Sequence, residues 1–216
     1  MKVQRLISAV CVAASAASSG GVFAQADFPS KSIRLIVGFT AGGISDVLAR
    51  ALGARLQVQT GQQFVVDNRA GAGTTIAAEI VAKAPPDGYT LFMQDMTTQA
   101  INASLYKKLP YDTVKDFTPV TLVASSPLML VVHPSLPAKS VKELIALAKA
   151  KPGQIAFASS GNGTILHLAA ETFKSMAGVD MIHVPYKGSS QAVQALMAGE
   201  VAVTFSTMPP AITNVK

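Results

Sequence analysis

Short apolar runs alternate along the chain with segments in which apolar residues recur every three or four positions. The run at residues 33–39 is followed by a periodic segment from Ile44 to Leu56, with Arg50 and Arg55 on its polar side. Unbroken apolar runs are typical of strands buried on both faces of a parallel sheet, and the second pattern is typical of amphipathic helices. The alternation therefore predicts an α/β fold with parallel strands.

The same rhythm continues along the chain, with glycine- and proline-containing turns between the elements. Further strands are predicted at residues 64–68, 89–93, 155–158, 181–184 and 201–205. Further helices are predicted at residues 74–84, 97–108, 141–151, 165–176 and 190–198. Two other apolar runs, 117–124 and 128–133, are split by a Ser-Ser-Pro sequence. We expect a nearly strand-like connector here, between a first lobe at 27–125 and a second at 126–216.

Two of the predicted strands lead into similar glycine turns. The first turn reads Thr40-Ala-Gly-Gly-Ile-Ser-Asp46 and the second reads Ser159-Ser-Gly-Asn-Gly-Thr164. A turn between a strand and a helix leaves free N–H groups and the positive end of the helix dipole above the sheet. Ligands of open α/β sheets bind outside the carboxyl ends of the strands. Two such turns predict that two lobes face a common anionic ligand.

The polar residues near these turns allow more than one interpretation. Asp46 lies in a first helical turn, where it either caps the helix or takes part in the site. His167 lies one turn into the second helix and could either reach a ligand or belong to the structure. With Ser160 it also raises the alternative of a serine-dependent enzyme. The histidines lack metal-ligand spacing, so we expect no metal site and no catalytic residue.

The amino terminus resembles a secretory signal. Lys2 and Arg5 precede an apolar run, and small residues follow before a cleavage site near residue 26, so a signal peptide is predicted at 1–26. A membrane anchor is the alternative, but the run is short for one. Removing these two charges lowers the formal net charge from +6 to +4, which gives no nucleic-acid signal. The only cysteine, Cys11, would leave with the signal peptide.

Several cofactor and nucleophile motifs are absent. No Gly-Lys pair occurs, which excludes a phosphate-binding P-loop, and no serine has the Gly-x-Ser-x-Gly setting. The pairs Gly71/Gly73 and Gly161/Gly163 lack the third glycine of a dinucleotide site. We therefore expect no cofactor. Arg34, near the start of a strand, is expected to be structural, and Arg69 could lie at a cleft rim.

Over the whole predicted mature chain, the sequence resembles the Bug-type periplasmic binding proteins, the solute receptors of tripartite tricarboxylate transporters. The matching segments are Ala41–Asp46, Val66–Gly73, Ala84–Leu91, Leu105–Asp112, Phe157–Thr164 and His183–Gly188. The resemblance implies a two-lobed, hinged α/β fold of the periplasmic-binding-protein type, each lobe a βα sandwich. It also implies a monomer that binds a di- or tricarboxylate, an acidic amino acid or an aromatic acid and delivers it to integral-membrane permease subunits.

The resemblance also implies which residues hold the ligand. They are Phe39, Thr40, Ala41, Gly42, Gly43, Asp46, Ser159, Ser160, Gly161, Gly163, Thr164, His167 and Ser206. Thr40 stands where relatives commonly have proline. Ser206 stands where many have aspartate, which disfavours an amino-acid ligand because its ammonium group would lack a counter-charge. The resemblance further implies a C-terminal return to lobe one, which is missing before Lys216. A sensor that feeds a signalling receptor is an alternative function.

Overall fold

The computed structural model describes residues 28–212. The elements below belong to one compact unit, Lys31–Lys216. The predicted signal peptide at 1–26 and Cys11 lie outside the described residues. The strands are β1 (Ile33–Val37), β2 (Phe64–Asn68), β3 (Thr90–Met93), β4 (Leu128–Val132), β5 (Ala156–Ser159), β6 (Ile182–Pro185) and β7 (Val203–Thr207). The helices are α1 (Ile44–Thr60), α2 (Thr75–Ala82), α3 (Met96–Leu105), α4 (Val141–Ala150), α5 (Ile165–Ala177), α6 (Ser189–Met197) and α7 (Met208–Ile212).

The first sheet has three parallel strands in the order β2-β1-β3. The central strand β1 is almost wholly buried, as its unbroken apolar sequence predicts. Leu35 and Val37 of this strand pack with Ala49 of α1, and side chains from both edge strands close the cluster. Gly61 ends α1 in the left-handed conformation at φ 69°, which is typical of a glycine after the last helical turn.

The second sheet has four strands in the order β4-β7-β5-β6. Three are parallel, and the edge strand β4 runs antiparallel to β7. Its main core joins Leu144 of α4, Phe157 of β5, Ala170 of α5 and Val203 of β7, all nearly inaccessible to solvent. The parallel first sheet and the mixed second sheet, each packed with helices, confirm the predicted α/β class. The division of the chain at 125/126 stays a prediction, although the two sheets fall on either side of it.

The apolar run at 117–124 differs from the prediction of a strand-like connector, because it has no regular secondary structure. Val120 is 81% exposed and Leu122 is 70% exposed. A strand needs a neighbour to pair with, and no described strand pairs with this stretch. The predicted helix at 97–108 also ends early, at Leu105, because Tyr106 is extended (ψ 121°) and its hydroxyl binds the carbonyl oxygen of Ala72.

Several other boundaries shift by one to three residues. The predicted helix at 74–84 begins at Thr75 after a short 3-10 turn and ends at Ala82, and the predicted strand at 201–205 lies at Val203–Thr207. Strand β2 matches its prediction at both ends. In the described part of the chain, no helix is long and apolar enough to cross a membrane.

Candidate functional site

The two glycine turns follow the carboxyl ends of β1 and β5, where parallel sheets commonly bind ligands. Phe39, which directly precedes the first turn, and residues 160–162 of the second turn line one cavity of about 240 Å³. The lining residues are Gly38, Phe39, Gly71, Ala72, Gly73, Thr74, Tyr106, Ser160, Gly161, Asn162, Pro185, Tyr186 and Lys187. The cavity is therefore built from segments that are far apart in the sequence.

The first glycine turn, taken from here on together with the preceding Phe39 as residues 39–46, is stabilised by a charged pair. Asp46 is only 4% exposed and accepts hydrogen bonds from the Gly42 N–H at 3.0 Å and from Nε of Arg50 at 3.1 Å. Asn68 donates to the carbonyl oxygen of Phe39 at 3.0 Å. Burial alone would raise the pKa of Asp46, but the hydrogen bonds from Arg50, the Gly42 N–H and Asn68 hold it below its ordinary value. The ionised carboxylate of Asp46 therefore stabilises the turn.

The second glycine turn, residues 159–164, is stabilised by hydroxyl groups. Ser160 Oγ donates to Thr164 Oγ1 at 2.9 Å, and Thr164 Oγ1 donates to the carbonyl oxygen of Gly161 at 2.8 Å. Ser159 Oγ accepts from the Gly161 N–H at 3.1 Å. All three side chains are buried, so the hydroxyl groups close the turn on itself.

A stack of three aromatic rings packs against the second turn. Phe157, His183 and His167 lie in order, with centroids 4.9 and 4.0 Å apart. The Gly163 N–H donates to Nδ1 of His167 at 3.1 Å, which places the proton of the neutral ring on Nε2. Burial lowers the pKa of His167. Burial, with a contribution from His167, lowers the pKa of His183 to about 4.

The two turns meet different partners. Thr40 Oγ1 lies 2.9 Å from Ser190 Oγ at the start of α6, and Ser190 Oγ donates to the carbonyl oxygen of Ala41 at 2.8 Å. A side chain at Gly188 would collide with Thr40, so only glycine allows this approach. The second turn instead packs on α3, where Thr98 Oγ1 accepts from the Ile165 N–H at 3.3 Å.

A third turn, residues 71–74, lines the cavity and is not among the residues predicted from the sequence. We call it the left-handed turn, because four successive residues have positive φ: Gly71 at 135°, Ala72 at 44°, Gly73 at 58° and Thr74 at 75°. The pair of glycines is visible in the sequence, but there it stands out only as an incomplete dinucleotide motif. Residues 185–187, the last residue of β6 and the two that follow it, are a second part of the lining that the sequence did not predict.

The lining of the cavity is rich in unpaired N–H groups and poor in charge. Within the described residues, the N–H groups of Phe39, Ser160 and Asn162 have no hydrogen-bond partner. Lys187 is the one charged residue in the lining, and it has no ion-pair partner within residues 28–212. No carboxylate lines the cavity as the described residues form it. An anion is therefore the ligand that this lining favours electrostatically.

The predicted site residues divide into two groups. Phe39, Ser160 and Gly161 line the cavity. The others lie outside its lining: Thr40, Ala41, Gly42, Gly43, Asp46, Ser159, Gly163, Thr164, His167 and Ser206. Ser206 is wholly buried in β7 and donates to the carbonyl oxygen of Thr207. Arg34 pairs with Asp67, as expected of a structural residue, and Arg69 pairs with the same carboxylate.

Catalytic and metal chemistry find little support in this geometry. Ser160 bonds to Thr164, and no hydrogen bond joins Ser160 to His167 in the described residues. Ser159 Oγ lies 2.6 Å from Nε2 of His183, but Ser159 is wholly buried and does not line the cavity. Among residues 28–212, no group of three His, Cys, Asp or Glu side chains could hold a metal ion.

Comparison with known proteins identifies the family of this chain. Residues 48–216 match the model described as the tripartite tricarboxylate transporter family receptor. The chain belongs to this family. The protein BugT of Bordetella pertussis is 37% identical over 217 residues, which cover 100% of this chain and 67% of BugT. The predicted Bug-type resemblance is thereby confirmed.

Solved structures show the fold of this receptor family. A protein from R. palustris solved with adipate is 42% identical, with a TM-score of 0.83, and the match covers 86% of this chain and 62% of that one. MatC from Rhodopseudomonas palustris, solved with bound malate, is 32% identical, with a TM-score of 0.80, and the match covers 86% and 63%. The chain thus spans about three fifths of these solved relatives. Its fold is α/β of the periplasmic-binding-protein type, as in the periplasmic binding protein BugD, which is 29% identical with a TM-score of 0.81 over 87% of this chain and 62% of that one.

Proposed function

We propose that this chain is a periplasmic solute-binding protein that captures a small carboxylate in the cavity and delivers it to a tripartite tricarboxylate transporter permease. The observation that carries the proposal is the cavity lining, in which unpaired N–H groups from both glycine turns accompany one cation and, among the described residues, no carboxylate. Adipate and malate, the ligands of the two solved relatives, are carboxylates of this kind. Export through the signal peptide at 1–26 is part of the proposal.

We infer further that the preferred solute has two carboxylates and no ammonium group. One carboxylate would bind the N–H groups of Phe39, Ser160 and Asn162, and Lys187 would face the other. An amino-acid ligand would place its ammonium group in a lining whose described residues offer a lysine and no acid. Ser206 has no part in this preference, because it lies outside the lining.

Binding without turnover is the expected behaviour. Ser160 lacks a base within the described residues, and the Ser159–His183 pair is buried, so the geometry favours a receptor over a serine-dependent enzyme. A binding protein that reports to a signalling receptor would use the same cavity. Uptake of a labelled ligand in cells with and without the permease genes separates the transporter from the sensor.

Titration calorimetry and thermal unfolding with adipate, malate, glutamate, nicotinate and butyrate test the proposal. A ligand that binds only the folded state raises the unfolding free energy by about 2.7 kcal/mol at a hundred times its Kd. We expect adipate or malate to stabilise the protein more than glutamate or butyrate does. Lys187→Gln should remove most of this preference, whereas Lys139→Gln, a change of the same kind on an exposed residue away from the cavity, should not. If no acid in the panel binds, the proposed function is wrong.

A further inference from the structure

The left-handed turn is held in a conformation that two of its residues disfavour. Ala72 and Thr74 are not glycines, yet their φ values are 44° and 75°. Side chains with a Cβ atom rarely adopt this region, because the Cβ approaches the following carbonyl oxygen. Such conformations persist only where the surrounding structure enforces them, and they cluster at ligand sites.

The surroundings enforce the conformation by holding the carbonyl groups of the turn. The Thr74 N–H donates to the oxygen of Gly71 at 2.9 Å. The Tyr106 hydroxyl donates to the oxygen of Ala72 at 3.0 Å, and Nδ2 of Asn102 donates to the oxygen of Gly73 at 2.8 Å. Asn102 is wholly buried, so its amide is fixed behind the turn.

With their carbonyl groups engaged, the same residues keep their N–H groups free. In a helical turn of either hand, N–H groups point along the axis in the direction opposite to the carbonyl groups. The N–H groups of Gly71, Ala72 and Gly73 have no partner in the described part of the chain, and all three residues line the cavity. Successive N–H groups in such turns form a concave anion site.

The left-handed turn lies close to the second glycine turn, and its two glycines have little room for a side chain. A Cβ at Gly73 would lie 3.0 Å from the carbonyl oxygen of Asn162 and 3.2 Å from the hydroxyl of Tyr106. A Cβ at Gly71 would lie 2.9 Å from Cδ1 of Ile76. The backbone of the left-handed turn therefore reaches the cavity directly, without a side chain at either glycine.

We propose that the left-handed turn is a third anion-binding element, in which the N–H groups of Ala72 and Gly73 bind a carboxylate oxygen of the solute. The inference rests on the proposed function and adds a specific contact to it. The contact would also explain the strained backbone. The hydrogen bonds from Tyr106 and Asn102 hold the turn in this conformation, so the N–H groups are oriented before the ligand arrives.

Amide-to-ester replacement tests the contact directly, with adipate and malate as the probes. Replacing Ala72 by lactic acid through nonsense suppression removes its N–H group and keeps its side chain. We expect the affinity for the acid to fall about tenfold or more, as for a lost hydrogen bond to a charged group. The same replacement at Ala124, an exposed residue whose N–H has no partner in residues 28–212, is the matched control and should leave the affinity unchanged.

Amide NMR of the unmodified chain gives a second measurement that does not depend on the folding of the ester variant. The Ala72 and Gly73 amide protons should move downfield with either acid, while those of the helix-ending Gly61 and Gly178 stay in place. If only Phe39, Ser160 and Asn162 respond, or if a folded ester variant binds normally, the third element is refuted and the proposed function stands. If no acid in the panel binds, both are refuted.

Discussion

The two glycine turns occupy equivalent places after β1 and β5, yet they are held in different ways. The first depends on an ionised carboxylate, Asp46, paired with Arg50 at the protein surface. The second depends on neutral hydroxyl groups and on packing, with Thr164 wholly buried and the rings of His167 and His183 beneath. Similar local sequences therefore produce similar backbones through unlike interactions. Removing a charge should therefore destabilise the first turn most, and adding side-chain volume should destabilise the second turn most.

Steric crowding gives the largest expected difference between the turns. Gly163 has φ 73°, and a Cβ there would displace the half-exposed side chain of Leu105, so Gly163→Ala should cost about 2–3 kcal/mol. Gly42 has φ 82°, but its nearest atom would be Cβ of Ser190 at 3.6 Å, an ordinary contact. Gly42→Ala should therefore cost only about 1–2 kcal/mol.

Urea unfolding measures both losses. Gly178→Ala serves as a control, because Gly178 has φ 61° and a Cβ added there would meet nothing within 4 Å, so only the backbone strain remains. Equal losses at Gly42 and Gly163 would contradict the view that the second turn is limited by packing. Adding Leu105→Ala to the Gly163 variant should recover part of the loss.

Removing the charge of Asp46 should give the next largest loss of stability. Asp46→Asn should lower the unfolding free energy by about 1–2 kcal/mol at pH 7, since it weakens the bonds to Arg50 and the Gly42 N–H. The folded pKa of Asp46 is lowered, so its contribution is present above the unfolded pKa of about 4 and is lost as the pH falls through the folded pKa.

Equilibrium unfolding of the protein and of the Asp46→Asn variant between pH 7 and pH 3 measures how much the charge of Asp46 contributes to stability. The gap between them should close below about pH 4. Glu79→Gln breaks a similarly spaced pair with Lys83 on the exposed surface and should cost only about 0.3–0.5 kcal/mol. A gap that stays constant down to pH 3 would show that Asp46 acts through packing rather than charge.

Mild acid should weaken the second turn before the first. The folded pKa of His183 is about 4, below the unfolded value of about 6.5, so the unfolded chain takes up the proton first. Stability should therefore fall as the pH drops from about 6.5 towards 4, by roughly 1 kcal/mol at pH 5 after allowance for partial exposure.

His183→Gln should flatten this part of the stability profile, measured by unfolding at several pH values. A smaller slope should remain, because the pKa of His167 is also lowered by burial, with Glu171 and Lys174 acting in opposite directions on it. An unchanged slope in the variant would show that other groups control the response to acid.

The last prediction concerns the hydroxyl groups of the second turn. Thr164→Val keeps the shape of the side chain but breaks its bonds to Ser160 and to the Gly161 carbonyl, so we expect a loss of about 1 kcal/mol. Unfolding at pH 7 and pH 5 measures it. The loss should be the same at both pH values, and a strong pH dependence would contradict the neutral character of this turn.

Local signals in the sequence account for much of the fold. The helix ends at Gly61 and Gly178 were predictable because glycine adopts the left-handed conformation that follows a last helical turn. Strand β2 was predictable from its β-branched and aromatic residues. The stretch at 117–124 was not, because an apolar run becomes a strand only beside a partner, and a partner is a property of the whole fold.

The candidate site also has parts that could be predicted from the sequence and parts that could not. The two glycine turns were predictable because strand, turn and helix follow each other in the sequence. The left-handed turn was not, because its conformation depends on Asn102 and Tyr106, about thirty residues further along. Lys187 joins the cavity only because β6 ends at Pro185 beside β5, a pairing that no local pattern reveals.

The hydrogen bond between Thr40 and Ser190 joins residues 150 positions apart. Closing a loop of this length has an entropic cost, and non-local contacts of this kind slow folding. The first glycine turn can therefore make its full set of contacts only after the chain has been synthesised beyond Ser190. The cavity depends on the same part of the chain, because its lining includes residues 185–187.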